Sequence, residues 1–175
     1  MGKKNFLVEG GSGTGKTSVG EELARRGYHA IHGDRELAYS GEPGTGDPVE
    51  NVTGLAVHDH HLWQVDKVQA LTADQSEAVT FFCGGSRNFM QFIDLFDGVF
   101  VLEVDTTTLI RRLDDRPGNE WGGRGRQAER GLILRLHRMK ADIPPGAVSI
   151  DATAPLRQVV DEILTLSGAV GGSAR

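Results

Sequence analysis

The chain has 175 residues, with 24 Asp and Glu against 19 Lys and Arg and a net charge of −5 at pH 7. That length is one domain's worth, enough to bury roughly 70% of the unfolded surface in a single core, and the acid excess leaves no broad basic field, which excludes nucleic acid as the expected partner. The start carries no apolar leader segment, no window approaches the ~18 apolar residues of a membrane span, and the lone Cys83 excludes an internal disulfide and a four-cysteine zinc lid, so a soluble, cytoplasmic protein without a membrane partner is expected, as a monomer or homodimer.

In chain order, the apolar run Phe6-Leu7-Val8 reads as a buried strand and residues 16–26 as a helix. Between them residues 10–17 read GGSGTGKT, a full match to GxxxxGKT. Glycines 10, 11, 13 and 15 let successive N–H groups turn inward around an anion, and the helix that follows aims its free N–H groups and positive dipole end at the same point. Lys16 reaches the β- and γ-phosphates and Thr17 offers a hydroxyl to Mg2+. The predicted ligand is therefore Mg2+ with a nucleoside triphosphate, held by Gly10, Gly11, Ser12, Gly13, Thr14, Gly15, Lys16, Thr17 and Ser18. The helix should bury Val19 and Leu23 and end at Gly27.

Further apolar runs at 29–32, 78–83, 98–104 and 147–150, with helical patterns between most of them, predict an α/β fold: a P-loop NTPase three-layer sandwich with a five-stranded parallel sheet and helices on both faces. Ligands then bind at the carboxyl ends of the strands. Asp34 follows the second strand, where it would hold Mg2+ through water, accept a proton from an attacking hydroxyl, or cap the next helix. Residues 39–53 are Gly-, Pro- and acid-rich and read as a mobile loop, and 61–71 as a short helix; this insertion would cover an acceptor. In HDHH, at 58–61, the spacing fits neither common zinc pattern, so His58 and His61 are read as touching acceptor or solvent, with Asp59 available to pair with either.

The third strand ends in VTFFCGGSRNFMQF. Cys83 reads as a small buried residue, Gly84 and Gly85 permit close approach of a ligand, and Arg87 would grip a phosphate or begin a solvated helix face. Gln91, one helical turn on, would face the same acceptor. On the helix at 106–116, Leu109, Ile110 and Leu113 make the apolar face, flanked by Arg112 and Arg116, with Arg111 solvated. On the helix at 127–141, Ala128, Leu132, Leu136 and Met139 form a stripe that contains Arg135, whose charge needs a triphosphate or an acid such as Glu103 as partner. Residues 117–125, PGNEWGGRG, read as a short lid bringing Arg124 or Arg126 over the phosphates.

These residues resemble the adenylate kinase and shikimate kinase group of P-loop small-molecule kinases, over nearly the whole chain. HGD at 32–34 is similar to the TGD of adenylate kinases, and GGSRNFMQ at 84–91 sits where that family writes GFPRTxxQ. The resemblance implies acceptor binding by Asp34, Arg35, Gly84, Gly85, Arg87 and Gln91, catalysis by Lys16, Asp34, Arg116, Arg124 and Arg135, and Mg2+ at Thr17 and Asp34. It also places Arg112 and Arg116 on lid-helix arginines, Arg112 among the ATP-binding residues, and Ala152, Thr153 and Pro155 near the base of ATP. Cys83 stands where adenylate kinases have an Asp, the lid is short as in shikimate kinases, and HGDRELAYSGEP is also similar to the GD segment of gluconate kinases.

The implied activity is ATP-dependent transfer to a small acceptor, a nucleoside or nucleoside monophosphate ahead of a sugar or hydroxy acid. A nucleotide switch without turnover is the reading from another class, against which the chain has no NKxD signature. The implied organisation is one domain at 1–167, with an acceptor-binding insertion at 35–77, the lid at 117–125 and a disordered tail at 168–175.

Overall fold

Strand β1 (Lys4–Gly10) is buried from Asn5 onward, as a strand flanked on both sides in a parallel sheet must be. It is the centre strand of the computed structural model, which describes residues 4–140 and 143–169. From β1 the chain passes through helix α1 (Lys16–Arg25), strand β2 (His29–His32), the single turn α2 (Gly33–Glu36) and strand β3 (Ala38–Ser40). Next come the turn α3 (Ala56–Asp59), strand β4 (His61–Trp63), helix α4 (Val65–Ala73) and strand β5 (Val79–Cys83). The remainder is β6 (Gly98–Glu103), α5 (Thr106–Asp115), α6 (Gln127–Met139), β7 (Val148–Asp151) and α7 (Leu156–Ser167).

The main sheet has five strands in the order β2-β5-β1-β6-β7, every pair parallel. Successive residues of β1 point to opposite faces: Phe6 and Val8 join Val19, Leu23, Leu109 and Ile163 on one side, while Leu7 joins Ile31, Phe82, Val68 and Trp63 on the other. The expected three-layer sandwich is thus present. Its first helix buries Val19 and Leu23 and ends at Gly27, which takes φ +89°.

The departures lie between strands. After β5 the expected helix is replaced by two 3-10 turns, Phe89–Gln91 and Ile93–Leu95. Asn88 is held by Trp63, whose N–H donates to Asn88 Oδ1 at 3.0 Å and whose carbonyl accepts from Asn88 Nδ2 at 2.9 Å. Phe92 stacks on the Trp63 ring at 5.6 Å. These two demands fix the path and leave no continuous helical turn. The segment 61–71 is a strand followed by a helix, because Leu62 and Trp63 pair across to β3 in an antiparallel ribbon.

Within residues 39–53 Tyr39 donates its hydroxyl to the Gly46 carbonyl at 2.8 Å, and His60 Nδ1 lies 2.8 Å from the Gly41 carbonyl. At the other end, Gly168 at φ +73° closes α7, and Ala169 donates its N–H to Leu164 and is buried in the core. Gly168 and Ala169, the first two residues of the expected tail, are thus ordered parts of the helix end. Residues 170–175, and Ala141 at the expected end of α6, lie outside the described residues. Among the described residues no helix is long and apolar enough to cross a membrane.

Candidate active site at the carboxyl end of the sheet

Residues 10–17 leave β1 and wrap over the start of α1. Gly13 and Gly15 take φ +87° and +103°, and at Gly13 a Cβ would lie 2.7 Å from Leu109 Cδ1. Only glycine allows this backbone and this approach. Lys16 turns back over the loop, donating to the carbonyls of Gly10 at 2.6 Å and Gly11 at 3.0 Å. Thr17 and Ser18 stand exposed in the first turn of α1.

Two arginines of the α5 region hold the loop from outside. Arg112 donates Nη1 to the carbonyls of Gly13 and Thr14, at 3.2 and 3.1 Å, and Nη2 to that of Ala152 at 2.7 Å. Arg116 Nη1 donates to Ser12 Oγ at 3.0 Å and to the Trp121 carbonyl at 2.7 Å, so the segment 117–125 is joined to the phosphate loop. The helical spacing of the two arginines is what brings both to one loop. Ile110, expected on the buried face, is exposed, because the loop at Gly13 sets the inner edge of α5 at Leu109 and Leu113.

A cavity of about 330 Å³ opens between the phosphate loop and the insertion, lined by Glu9, Lys16, Asp34, His58, His61 and Arg87 among others. Asp34 lies within α2, capped by His32 without a side-chain bond, so the helix-capping role falls. Its carboxylate takes a hydrogen bond from His61 Nε2 at 3.0 Å. Partial burial pushes this carboxyl up, but the His61 bond and the Lys16 ammonium outweigh that and hold it below its ordinary range. His61 thus pairs with Asp34, not with Asp59. Gly84 and Gly85 make room for the cluster: a Cβ on Gly84 would lie 3.1 Å from Asp34 Oδ1, and one on Gly85 would overlap Glu9 Oε1.

Glu9 is the residue that motif reasoning missed. It is 3% exposed at the end of β1, accepts the Gly10 N–H at 3.1 Å, and burial drives its carboxyl up to about 7 against the opposing pull of Lys16. Burial correspondingly lowers Lys16, while Glu9 and Asp34 raise it. An acid breaking an otherwise apolar strand directly ahead of GGSGTGKT was the available signal, since buried acids without an architectural partner concentrate at functional sites. Cys83, buried at the end of β5 as expected, has its thiol pushed up to about 12 and is inert.

Other expected residues fall elsewhere. Arg35 is exposed and lies 3.9 Å from Glu21. Gln91 is exposed on the 3-10 turn and lines neither this cavity nor a second one described below. Arg124 is exposed, and Arg126 pairs with Glu129 at 3.0 Å. Arg135 is exposed too, because α6 buries Ile133, and two residues on from Ile133 is about 200° around the helix. Met139 and Ala128 of the expected stripe are likewise exposed, and Glu103 faces Lys140 at 3.8 Å instead of Arg135. Ala152 is buried, with Thr153 and Pro155 exposed beside it. Among the described residues no group of three or more His, Cys, Asp or Glu is placed to hold a metal ion.

The loop, its lysine and the sheet order define a P-loop nucleotide-binding fold. The sequence matches the AAA domain family over residues 7–131, and the chain belongs to that family. No curated protein matches the sequence. Among solved structures, a shikimate kinase from Bacteroides thetaiotaomicron superimposes with a TM-score of 0.62 at 18% identity, covering 93% of this chain and 97% of that one. A gluconokinase from Sinorhizobium meliloti 1021 gives 0.55 at 21% identity over 95% and 93% of the two chains. A sugar kinase from Janibacter sp. HTCC2649 gives 0.55 at 17% over 99% of each. These likenesses establish the shared fold.

Proposed function

We propose that the protein transfers the γ-phosphoryl group of ATP to the hydroxyl of a small acceptor held in the cavity beside Asp34. The observation that carries this is the meeting of Lys16, the phosphate loop and the Asp34–His61 pair in one cavity of about 330 Å³. The acceptor oxygen forms a bond to the γ-phosphorus, the bond to the β,γ-bridging oxygen breaks, ADP leaves, and Asp34 takes the hydroxyl proton. Lys16 leaves the Gly10 and Gly11 carbonyls to meet the phosphates, and Arg116, already at Ser12, stabilises the moving charge. Thr17 and Asp34 are the oxygen donors suited to Mg2+, which when bound neutralises charge on the β- and γ-phosphates. Arg112 binds the donor from the lid helix, and Ala152, Thr153 and Pro155 frame its base in this reading. Residues 35–77 serve as the acceptor-binding insertion, contributing Val57, His58 and His61 to the cavity, and 117–125 serve as the lid. The kinases among the structural neighbours support the reaction class.

The geometry favours an acceptor that attacks through a neutral hydroxyl, as nucleosides, sugars and hydroxy acids do. A nucleoside monophosphate attacks through an oxygen already charged and gains nothing from a base, and the Gln91 expected to read its base lies off the cavity. The test is ADP release with panels of nucleosides, nucleoside monophosphates, sugars and hydroxy acids, for the natural chain and Lys16→Ala. Acceptor-dependent release lost in Lys16→Ala is expected. Release that ignores every acceptor would return the reading to a nucleotide switch.

A further inference from the structure

A second cavity of about 220 Å³ is also lined by Trp121. It shares Gly11, Ser12, His58 and Trp121 with the acceptor cavity, so the two are chambers of one cleft. The chambers differ in chemistry. The first gathers the carboxylates of Glu9 and Asp34, the Lys16 ammonium and Arg87. The second is walled by Val101 and Val104 at the end of β6 and by Leu132 and Leu136 of α6, with Ile143 closing it.

The donor does not account for this chamber. Its phosphates belong to the loop, whose Gly11, Ser12 and Thr14 form one side of the chamber, and none of Ala152, Thr153 or Pro155, the residues placed near its base, lines it. Lys140 faces Glu103 at 3.8 Å, and apart from that pair, Thr14 and the two histidines His58 and His137, the walls of Val101, Val104, Leu132 and Leu136 suit an apolar ring. We infer that the acceptor is two-part, a hydroxyl-bearing head beside Asp34 and a flat ring seated beside Trp121 against Leu132 and Leu136. The inference rests on the acceptor assignment of the first chamber. Two sources supply this chemistry, a nucleoside, whose base is the ring, and a hydroxy acid bearing an aryl group.

The experiment is calorimetry on the full chain with Mg2+ and ADP present, using matched probes: adenosine and thymidine against ribose, and 3-phenyllactate against lactate. Seating a ring in an apolar chamber strengthens binding by about ten-fold or more, so at least one ring-bearing probe binds that much more tightly than its ring-free head. The pair that shows the difference identifies the source. Leu136→Lys, which puts a charge in the chamber, removes the advantage while leaving ADP affinity unchanged; Leu132→Lys, one helical turn away, repeats the test should the first variant not fold. Equal binding of ring-bearing and ring-free probes, failure of every ring-bearing probe to bind, or an advantage that survives both substitutions overturns the inference. Ring-dependent binding without ADP release overturns the kinase reading alone.

Discussion

Glu9→Gln isolates the cost of placing a carboxyl under the phosphate loop. Glutamine fills the space that Gly85 leaves and keeps an oxygen for the Gly10 N–H, so the substitution removes ionisation and little else. Burial raises the Glu9 carboxyl from 4.5 to about 7, and at about 1.4 kcal/mol per pH unit this amounts to ~3 kcal/mol. Below pH 4.5 the group is neutral in the folded and unfolded chains alike and contributes no difference. Between 4.5 and 7 the unfolded chain releases its proton while the folded chain keeps it, so wild-type stability falls as pH rises. Above 7 both are ionised and the penalty is constant. Urea or thermal unfolding should therefore give equal stabilities for wild type and Glu9→Gln near pH 4.5, with the variant ahead by ~3 kcal/mol at pH 8, roughly 6–12 °C in Tm for a chain of this size. Lys16→Met in the wild-type background should widen the gap, since the ammonium is what opposes the rise. Parallel pH curves for wild type and Glu9→Gln would refute the buried, proton-holding state.

Asp34→Asn should lower kcat by about 10²-fold or more with a small change in ATP KM, as loss of a general base does; a kcat within two-fold of wild type would remove Asp34 from the chemistry. Arg112→Ala cuts its bonds to Gly13, Thr14 and Ala152 and should cost about 2–4 kcal/mol of stability with a raised ATP KM; an unchanged melting curve would show that the loop holds itself. Gly85→Ala should destabilise by about 1–3 kcal/mol through overlap with Glu9, and a double-mutant cycle with Glu9→Ala should recover most of the loss. Arg116→Ala should depress kcat by about 10²-fold or more while Arg135→Ala stays within about two-fold, the reverse ranking being the result that contradicts the geometry.

The five strands of the main sheet were legible because each is a short apolar run at the place a βαβ alternation requires, and the structure moves their ends by a residue or so. The loop at 10–17 and the pair Arg112 and Arg116 were legible because motif and helical spacing are local properties. What escaped depends on distant partners. The ribbon of β3 and β4 exists only through the pairing of 38–40 with 61–63, and the 3-10 turns after β5 exist because Trp63 claims Asn88 and Phe92. Periodicity in α6 groups residues on a face without saying which face meets the core, so the stripe was centred on Leu132 and Leu136 when Ile133 is the buried residue, and Arg135 was drawn inward with it. Asp34 and His61 are separated by 27 residues, and no spacing rule joins them.

The Arg112 clasp has a consequence for how the molecule comes to bind anything. Its guanidinium ties the phosphate loop, near the amino end of the chain, to a carbonyl just past β7, so the loop acquires its final curvature only after the last strand has docked beside β6. Such contacts, whose partners stand 99, 98 and 40 residues apart in the chain, are slow to assemble. During refolding, nucleotide-dependent protection should appear later than the burial of β1 and β5. A fragment ending at residue 131, where the family match stops, would carry every residue of GGSGTGKT and still lack the carbonyl that braces it.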